Sequence, residues 1–336
     1  MNRWLKTLGL ALLVMGSACG DDQPAAKAPS AKDLLKRAVQ AANKDDLAQA
    51  LKLAEQALQG APDDREGMYL LGVLAMTRAD ELKVKGDKIA MLRKSAAALD
   101  RLRARYPDLT PTEAAFAAAS RLGEARALAL EGKADGALAA IKDALAGGFD
   151  NIDAIEREDD LAAVRGLPGF RDALAQGIKA GVVAAIKGTK PFPFDFELKD
   201  LDDKAVNLAD YKGKVTIVDI WGTWCPPCRM EIPHFVDLYQ QYKGKGLEIV
   251  GINCNEEGTP AEVKKTIKDF AKEQKVEYKC LLNDDKTEAK VPGFQGYPTT
   301  LFLDRAGKVR LMLVGYTPKV KLDAIVATLL AEEGGR

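Results

Sequence analysis

The sequence predicts two domains of different class, an all-α helical region followed by an α/β region with a mixed sheet. Three observations carry this. The chain has 336 residues, and a domain usually takes roughly 100–200. From residue 31 to 186 it is rich in Ala and Leu at helical spacing and holds no Cys or Trp. Past Lys187-Gly-Thr-Lys-Pro-Phe-Pro193 the texture changes to β-branched runs alternating with amphipathic stretches. Composition narrows the function. Hydrophobic residues make up 47% and charged residues 29%, as in a folded body. The 49 basic residues balance 49 acidic ones, leaving no basic excess to drive nucleic-acid binding. The single histidine, His234, removes multi-histidine metal sites and weakens a Ser-His or Cys-His hydrolase.

The N-terminus is read as a targeting segment. Arg3 and Lys6 precede the apolar Leu8–Met15, and Gly16-Ser-Ala18 are small. Residues 1–18 are therefore expected to be a secretory signal, too short to span a bilayer well. Cys19 follows at once and resembles the lipobox cysteine of bacterial lipoproteins, although Gly16 stands where Leu is usual. The resemblance implies acylation of Cys19 and a lipid anchor, with residues 19–30 as a tether; the alternative is an ordinary cleaved signal. Several acyl chains would anchor stably, at about 0.8 kcal/mol per buried CH₂.

Within 31–186, apolar residues recur at Leu34, Leu35, Ala38 and Val39, then at Leu47, Ala50, Leu51, Ala54, Ala57 and Leu58. Asn43-Lys-Asp-Asp46 separates the two helices, with Asp45 or Asp46 as N-cap, and Ala61-Pro62-Asp-Asp64 ends the second. This pair resembles a tetratricopeptide repeat. A second such unit runs from about Ala115 to Asp150, and residues 67–106 look like a degenerate pair between them. The resemblance implies a stacked helical array; a plain helical bundle is the alternative. Its charges read as solvated helix faces, without a catalytic constellation.

In 191–336, Phe196-Glu-Leu198 and Ala205-Val-Asn-Leu208 flank Asp202-Asp203 as a hairpin. Strands are expected at 215–220, 247–252, 299–303 and 309–314, and helices at 226–242, 261–274 and 319–331. The order β-α-β-α-β-β-α predicts a mixed sheet with helices on both faces.

Trp221-Gly-Thr-Trp-Cys-Pro-Pro-Cys228 falls where a strand ends and a helix begins. A zinc site would need a second ligand pair, and only Cys254 and Cys280 remain, so a metal-free redox pair is expected. The attacking species in disulfide exchange is a thiolate, which a helix N-terminus favours. Cys225, at the first turn, is the expected accessible nucleophile. Cys228, one turn on, resolves the mixed disulfide. Cys254 and Cys280 are either a structural disulfide or two buried small apolar residues.

Trp224-Cys-Pro-Pro-Cys228, Arg229-Met-Glu-Ile-Pro233 and Gly296-Tyr-Pro-Thr-Thr300 together resemble the thioredoxin fold, in particular the exported TlpA/ResA-like thiol-disulfide oxidoreductases. The resemblance implies a substrate groove at Trp224, Pro226, Pro227, Tyr297 and Pro298, with Pro298 the cis-proline and Pro233 bending the helix. It further implies proton transfer by Asp219, the buried acid of thioredoxins, and by Glu231, the acid of ResA-like proteins. Many relatives carry only one of the two. Asp219 otherwise reads as a structural carboxylate, and Glu231 as a first-turn acid complementing the helix dipole.

The expected function is thus an exported, lipid-anchored thiol-disulfide oxidoreductase on the periplasmic side of a bacterial membrane. It needs no cofactor. The resemblance implies that it reduces client proteins, as in cytochrome c maturation, and is recharged by a membrane thiol-disulfide electron carrier. One alternative is a redox-responsive scaffold acting through its helical repeats. Another is a peroxiredoxin-like peroxidase, which needs Thr three residues before its nucleophile, where this chain has Gly222.

Overall fold

The computed structural model describes residues 29–149, 151–284 and 286–332. The expected signal and the lipidation at Cys19 lie outside these residues. Two compact units form: one runs up to Ala144 and adds Asp153–Phe170, and the other comprises Leu145–Ile152 and the chain from Arg171 onward.

The first unit is helical: α1 (Ala31–Asn43), α2 (Leu47–Gly60), α3 (Arg65–Glu81), α4 (Lys85–Arg105), α5 (Pro111–Leu130), α6 (Ala134–Ala146), α7 (Ile152–Arg157) and α8 (Ala162–Arg165). Local chemistry sets the starts. The side chains of Ser30, Asp46, Asp64 and Thr110 each accept a first-turn backbone N–H, and Glu113 completes a capping box with Thr110. From α1 to α5 each helix packs on the next, and α1 also meets α3 and α3 meets α5. Leu35, Ala38, Ala50, Ala54, Ala57 and Leu74 share one core cluster. Small residues permit this closeness: a Cβ on Gly72 would sit 2.4 Å from Leu99 Cγ.

In the second unit, α9 (Phe170–Gly188) precedes the change from helix to strand. Then come β1 (Phe192–Pro193), β2 (Glu197–Asp200), β3 (Ala205–Asn207), β4 (Val215–Trp221), α10 (Pro226–Tyr242), β5 (Leu247–Asn253), α11 (Pro260–Glu273), β6 (Lys279–Leu282), β7 (Thr299–Leu303), β8 (Lys308–Val314) and α12 (Lys319–Ala331). The sheet order is β1-β8-β7-β4-β5-β6-β2-β3. β4, β5 and β6 run parallel, and the other pairings are antiparallel. Every residue of β4 is buried, as expected of a central strand rich in Val and Ile, and this burial includes Thr216 and Asp219.

The helices do not divide between two faces as expected. α10 packs beside α12, and Phe270 of α11 stacks on Trp221 with ring centroids 5.3 Å apart. Trp221 shares its face of β4 with Asp219. Because β4, β5 and β6 are adjacent in chain order, two right-handed crossovers place α10 and α11 on the same side. On the opposite face, Val218, Ile220, Val250 and Ile252 pack against Phe194, Phe196, Tyr211 and Val291 from segments between the strands.

Candidate active site

Cys225 and Cys228 are joined by a disulfide at the start of α10. Cys225 is the N-cap, and Pro226 and Pro227 fill the first two helical positions. Prolines have no N–H, so the first donor the helix offers is that of Cys228. It donates to Cys225 Sγ at 3.3 Å. The helix end thus aims its partial positive charge at sulfur 225, a field that favours an anion there. The open access expected at Cys225 is not found: it is 2% exposed and Cys228 1% in this oxidised state. Enclosure follows from the N-cap position, which turns the sulfur inward toward the Cys228 N–H.

The turn before Cys225 is tightly held. The Cys225 N–H donates to Gly222 O at 3.2 Å. Trp224 is 49% exposed, and its indole N–H donates to Cys254 O at 3.0 Å. Its ring meets Tyr297 edge-on at 5.2 Å. The Tyr297–Pro298 bond is cis, and Pro298 O accepts the Gly315 N–H. Pro226 is exposed, Pro227 half-buried and Pro298 buried. Pro233 lies inside α10, which continues past it. Trp224, Met230, Val314, Tyr316 and Val320 are exposed apolar residues of this unit. All of them stand on the active-site turn, on α10, or on the chain around and after the Gly315 contact with Pro298.

Asp219 and Glu231 are both enclosed. Asp219 stands in β4 opposite Gly251 on one side and Thr300 on the other. Burial, then the nearby Glu231, pushes its carboxyl well above the usual range. Glu231 is 0% exposed, so it is not a solvent-facing acid complementing the helix dipole. Its Oε1 accepts the Thr317 N–H at 2.9 Å. Burial pushes its carboxyl up to about 8 against the pull of that bond. Asp219 Oδ1, Glu231 Oε2, Thr300 Oγ1 and the Trp221 indole N–H have no hydrogen-bond partner among the described residues. Gly251 makes room for this group: a Cβ there would lie 2.7 Å from Trp221 Nε1.

Cys254 and Cys280 are buried and not joined in a disulfide, which decides between the two readings in favour of buried small residues. Cys280 pairs with Gly251 in the sheet. Cys254 lies three residues beyond Gly251, roughly 10 Å along the strand and on the other face. A disulfide needs Cα atoms within about 7 Å and converging Cβ vectors. Cys280 looks toward Asp219, and burial, then that carboxylate, pushes its thiol up to about 12. Cys254 belongs to the opposite core cluster. His234 is half-buried, with Nε2 3.1 Å from the Tyr316 hydroxyl.

Sequence reasoning missed four residues around the pair. Glu256 accepts the backbone N–H and the hydroxyl of Thr223 at 2.6 and 2.7 Å. Asn255 donates to the Tyr297 hydroxyl, which donates to Glu288. Thr317 meets Glu231. The one signal that pointed there is polar: Asn253-Cys-Asn-Glu256 directly follows an apolar strand.

Residues 189–312 match the AhpC/TSA family. The chain is 32% identical over 129 residues to the thiol-disulfide oxidoreductase ResA of Bacillus thuringiensis subsp. konkukian, covering 38% of this chain and 71% of that protein. It is 32% identical over 121 residues to ResA of Bacillus subtilis, covering 36% and 64%. Among solved structures it is similar to a thioredoxin-family thiol:disulfide interchange protein from Chlorobium tepidum TLS. That likeness has 31% identity and a TM-score of 0.38, over 43% of this chain and 99% of the other.

Proposed function

The chain belongs to the ResA-like thiol-disulfide oxidoreductases of the thioredoxin fold, and from that premise we propose that it is an exported, lipid-anchored reductant of client-protein disulfides. The observation that carries the exchange chemistry is the Cys225–Cys228 disulfide capping α10, in a unit that also buries Asp219 and Glu231 with no ion-pair partner among the described residues.

In the dithiol form, Cys225 attacks one sulfur of a client disulfide as thiolate. A mixed disulfide forms, and the client's other sulfur leaves as thiolate and is protonated. Cys228 then gives up its proton and attacks Cys225 Sγ. The second client thiolate leaves, and the Cys225–Cys228 bond closes. Two electrons pass to the client. Asp219 and Glu231 are the groups we assign to hold the proton that Cys228 releases, since their raised proton affinity suits exchange near neutral pH. Trp224, Pro226, Pro227, Tyr297 and Pro298 form the client groove, and the exposed Met230, Val314, Tyr316 and Val320 extend it as an apolar rim.

The wider reading rests on the sequence. Acylation of Cys19 would hold the protein at the periplasmic side of a bacterial membrane, and a membrane thiol-disulfide carrier would return the two electrons. Reduction of apocytochrome c fits the ResA likeness. The helical unit, read as tetratricopeptide-like repeats, would bring a client or partner near. The peroxidase alternative meets a steric objection. A Cβ on Gly222 would lie 2.4 Å from Trp224 Nε1, so threonine three before Cys225 would expel the indole from its bond to Cys254 O.

The test is stoichiometric reduction of a peptide disulfide by the purified dithiol form. One client disulfide per chain is expected, and none for Cys225→Ser. Partner capture that is unchanged in Cys225→Ala, without any disulfide reduction, would favour the scaffold instead.

A further inference from the structure

The segment Asn253–Glu256, where the chain leaves β5, reaches both sides of the disulfide. Glu256 Oε1 accepts the Thr223 N–H at 2.6 Å and Asn253 Nδ2 at 2.9 Å, and Oε2 accepts the Thr223 hydroxyl at 2.7 Å. Thr223 lies inside the turn closed by Cys225 N–H on Gly222 O, two residues before the nucleophile. Cys254 O holds the Trp224 indole. Asn255, in the left-handed region at φ 55°, holds the Tyr297 hydroxyl at 2.7 Å.

Two features make Glu256 more than a turn former. Both of its carboxylate oxygens are engaged, by three hydrogen bonds from Thr223 and Asn253. It also has no ion-pair partner among the described residues; its three donors are all neutral. Its charge is held on Thr223, two residues from sulfur 225; the Arg229 guanidinium reaches the other side of the same residue, Nη1 3.5 Å from Thr223 O, and offsets it only in part, without an ion pair to Glu256 among the described residues. The remaining charge works against the favourable field of the α10 N-terminus.

We propose that Glu256 is a positioning residue that tunes the redox pair, fixing the Thr223–Trp224 turn and setting a negative charge there that biases Cys225–Cys228 toward the reducing side. The reason is the balance of the couple. Reducing the disulfide takes two electrons from a donor dithiol, which itself becomes a disulfide, and yields the Cys225 and Cys228 thiols. Whatever stabilises the Cys225 thiolate stabilises the reduced form and makes the pair more oxidising. A fixed negative charge beside it does the reverse. The inference rests on the oxidoreductase reading and adds a residue that sets its direction.

The experiment uses the full chain. Glu256→Gln removes the charge and keeps an acceptor for Thr223. Equilibrated against a glutathione buffer, it is expected to favour the dithiol about tenfold more than the parent, a rise of ~30 mV in potential. Its Cys225 is expected to alkylate severalfold faster at mildly acidic pH. Glu256→Asp keeps the charge and is expected within about twofold of the parent. Thr223→Val removes only the hydroxyl grip and is expected to raise KM for a peptide disulfide with little shift in the equilibrium; Thr223→Ser restores the parent KM. Glu256→Ser serves if the glutamine variant does not fold. The proposal is overturned if the uncharged variants keep the parent's equilibrium and alkylation profile, whatever their thermal stability. A parent chain that reduces no peptide disulfide would instead overturn the oxidoreductase reading itself.

Discussion

In the helical unit the guanidinium of Arg126 is enclosed by carboxylates: Asp80 at 2.9 Å, Asp160 at 2.8 Å and Glu158 at 3.5 Å, with Lys88 3.0 Å from Asp160. In the α/β unit Asp219 and Glu231 are enclosed as deeply, with no ion-pair partner among the described residues. The outcomes diverge. The hydrogen bonds from Arg65 hold Glu113 down to about 2, whereas burial takes Glu231 up to about 8. Burial works against the charge of Arg126, yet Glu158, Asp80 and Asp160 together raise its affinity for the proton. A buried charge that is paired ties elements together. A buried carboxyl left without a cation is a group whose proton can come and go near neutral pH.

Breaking the paired cluster has the largest effect. Arg126→Met leaves three carboxylates facing one another in a part-buried site. It is expected to cost the helical unit about 3–5 kcal/mol in denaturant unfolding, with the exchange chemistry at Cys225 unaffected. A loss below about 1 kcal/mol would show the cluster to be solvated.

The unpaired pair sharpens the contrast through pH. Unfolded, Glu231 releases its proton near 4.5; folded, near 8. Between these values the folded chain binds the extra proton, so stability is highest below the lower value and declines as pH rises through the upper one. The full swing is on the order of 5 kcal/mol. Glu231→Gln is expected to flatten the fall in thermal midpoint between pH 5 and 8.5, and to slow release of the mixed disulfide at neutral pH roughly 100-fold. An unchanged pH slope would mean that Glu231 is solvated in solution.

Packing beside the pair is tested by Gly251→Ala, whose new Cβ meets the Trp221 indole at 2.7 Å. Displacing Trp221 from Phe270 is expected to cost about 1–3 kcal/mol by denaturant unfolding.

What could be read in advance, and what could not, follows the same division between local and distant. The strand β4 and the helix α10 are local: a β-branched, largely apolar run, then Cys-Pro-Pro-Cys with prolines at the two positions that need no N–H. Asp46 and Thr110 likewise cap their helices through bonds three residues long. The missed contacts are distant. Thr223–Glu256 spans 33 residues, Asn255–Tyr297 spans 42 and Glu231–Thr317 spans 86, between polar loop residues that follow no period. Cysteine parity could not decide between a disulfide and two buried thiols because it ignores faces: Cys254 and Cys280 stand on opposite sides of the sheet. The division of helices misled for want of strand order, since inserting β6 beside β5 keeps α11 on the side of α10.

The smallest expected effect concerns those two thiols. Cys254→Ala or Cys280→Ala is expected to cost about 1 kcal/mol, rather than the 2–4 kcal/mol of a lost disulfide. Alkylation of the denatured chain without reductant is expected to modify both.

The central claim is that Cys225 receives the client and Cys228 releases it. Its most direct measurement is the mass-spectrometric location of the linkage formed when reduced Cys228→Ser meets a disulfide-bonded peptide. A stable mixed disulfide at Cys225 is predicted. A linkage at Cys254 or Cys280, or none, would contradict it.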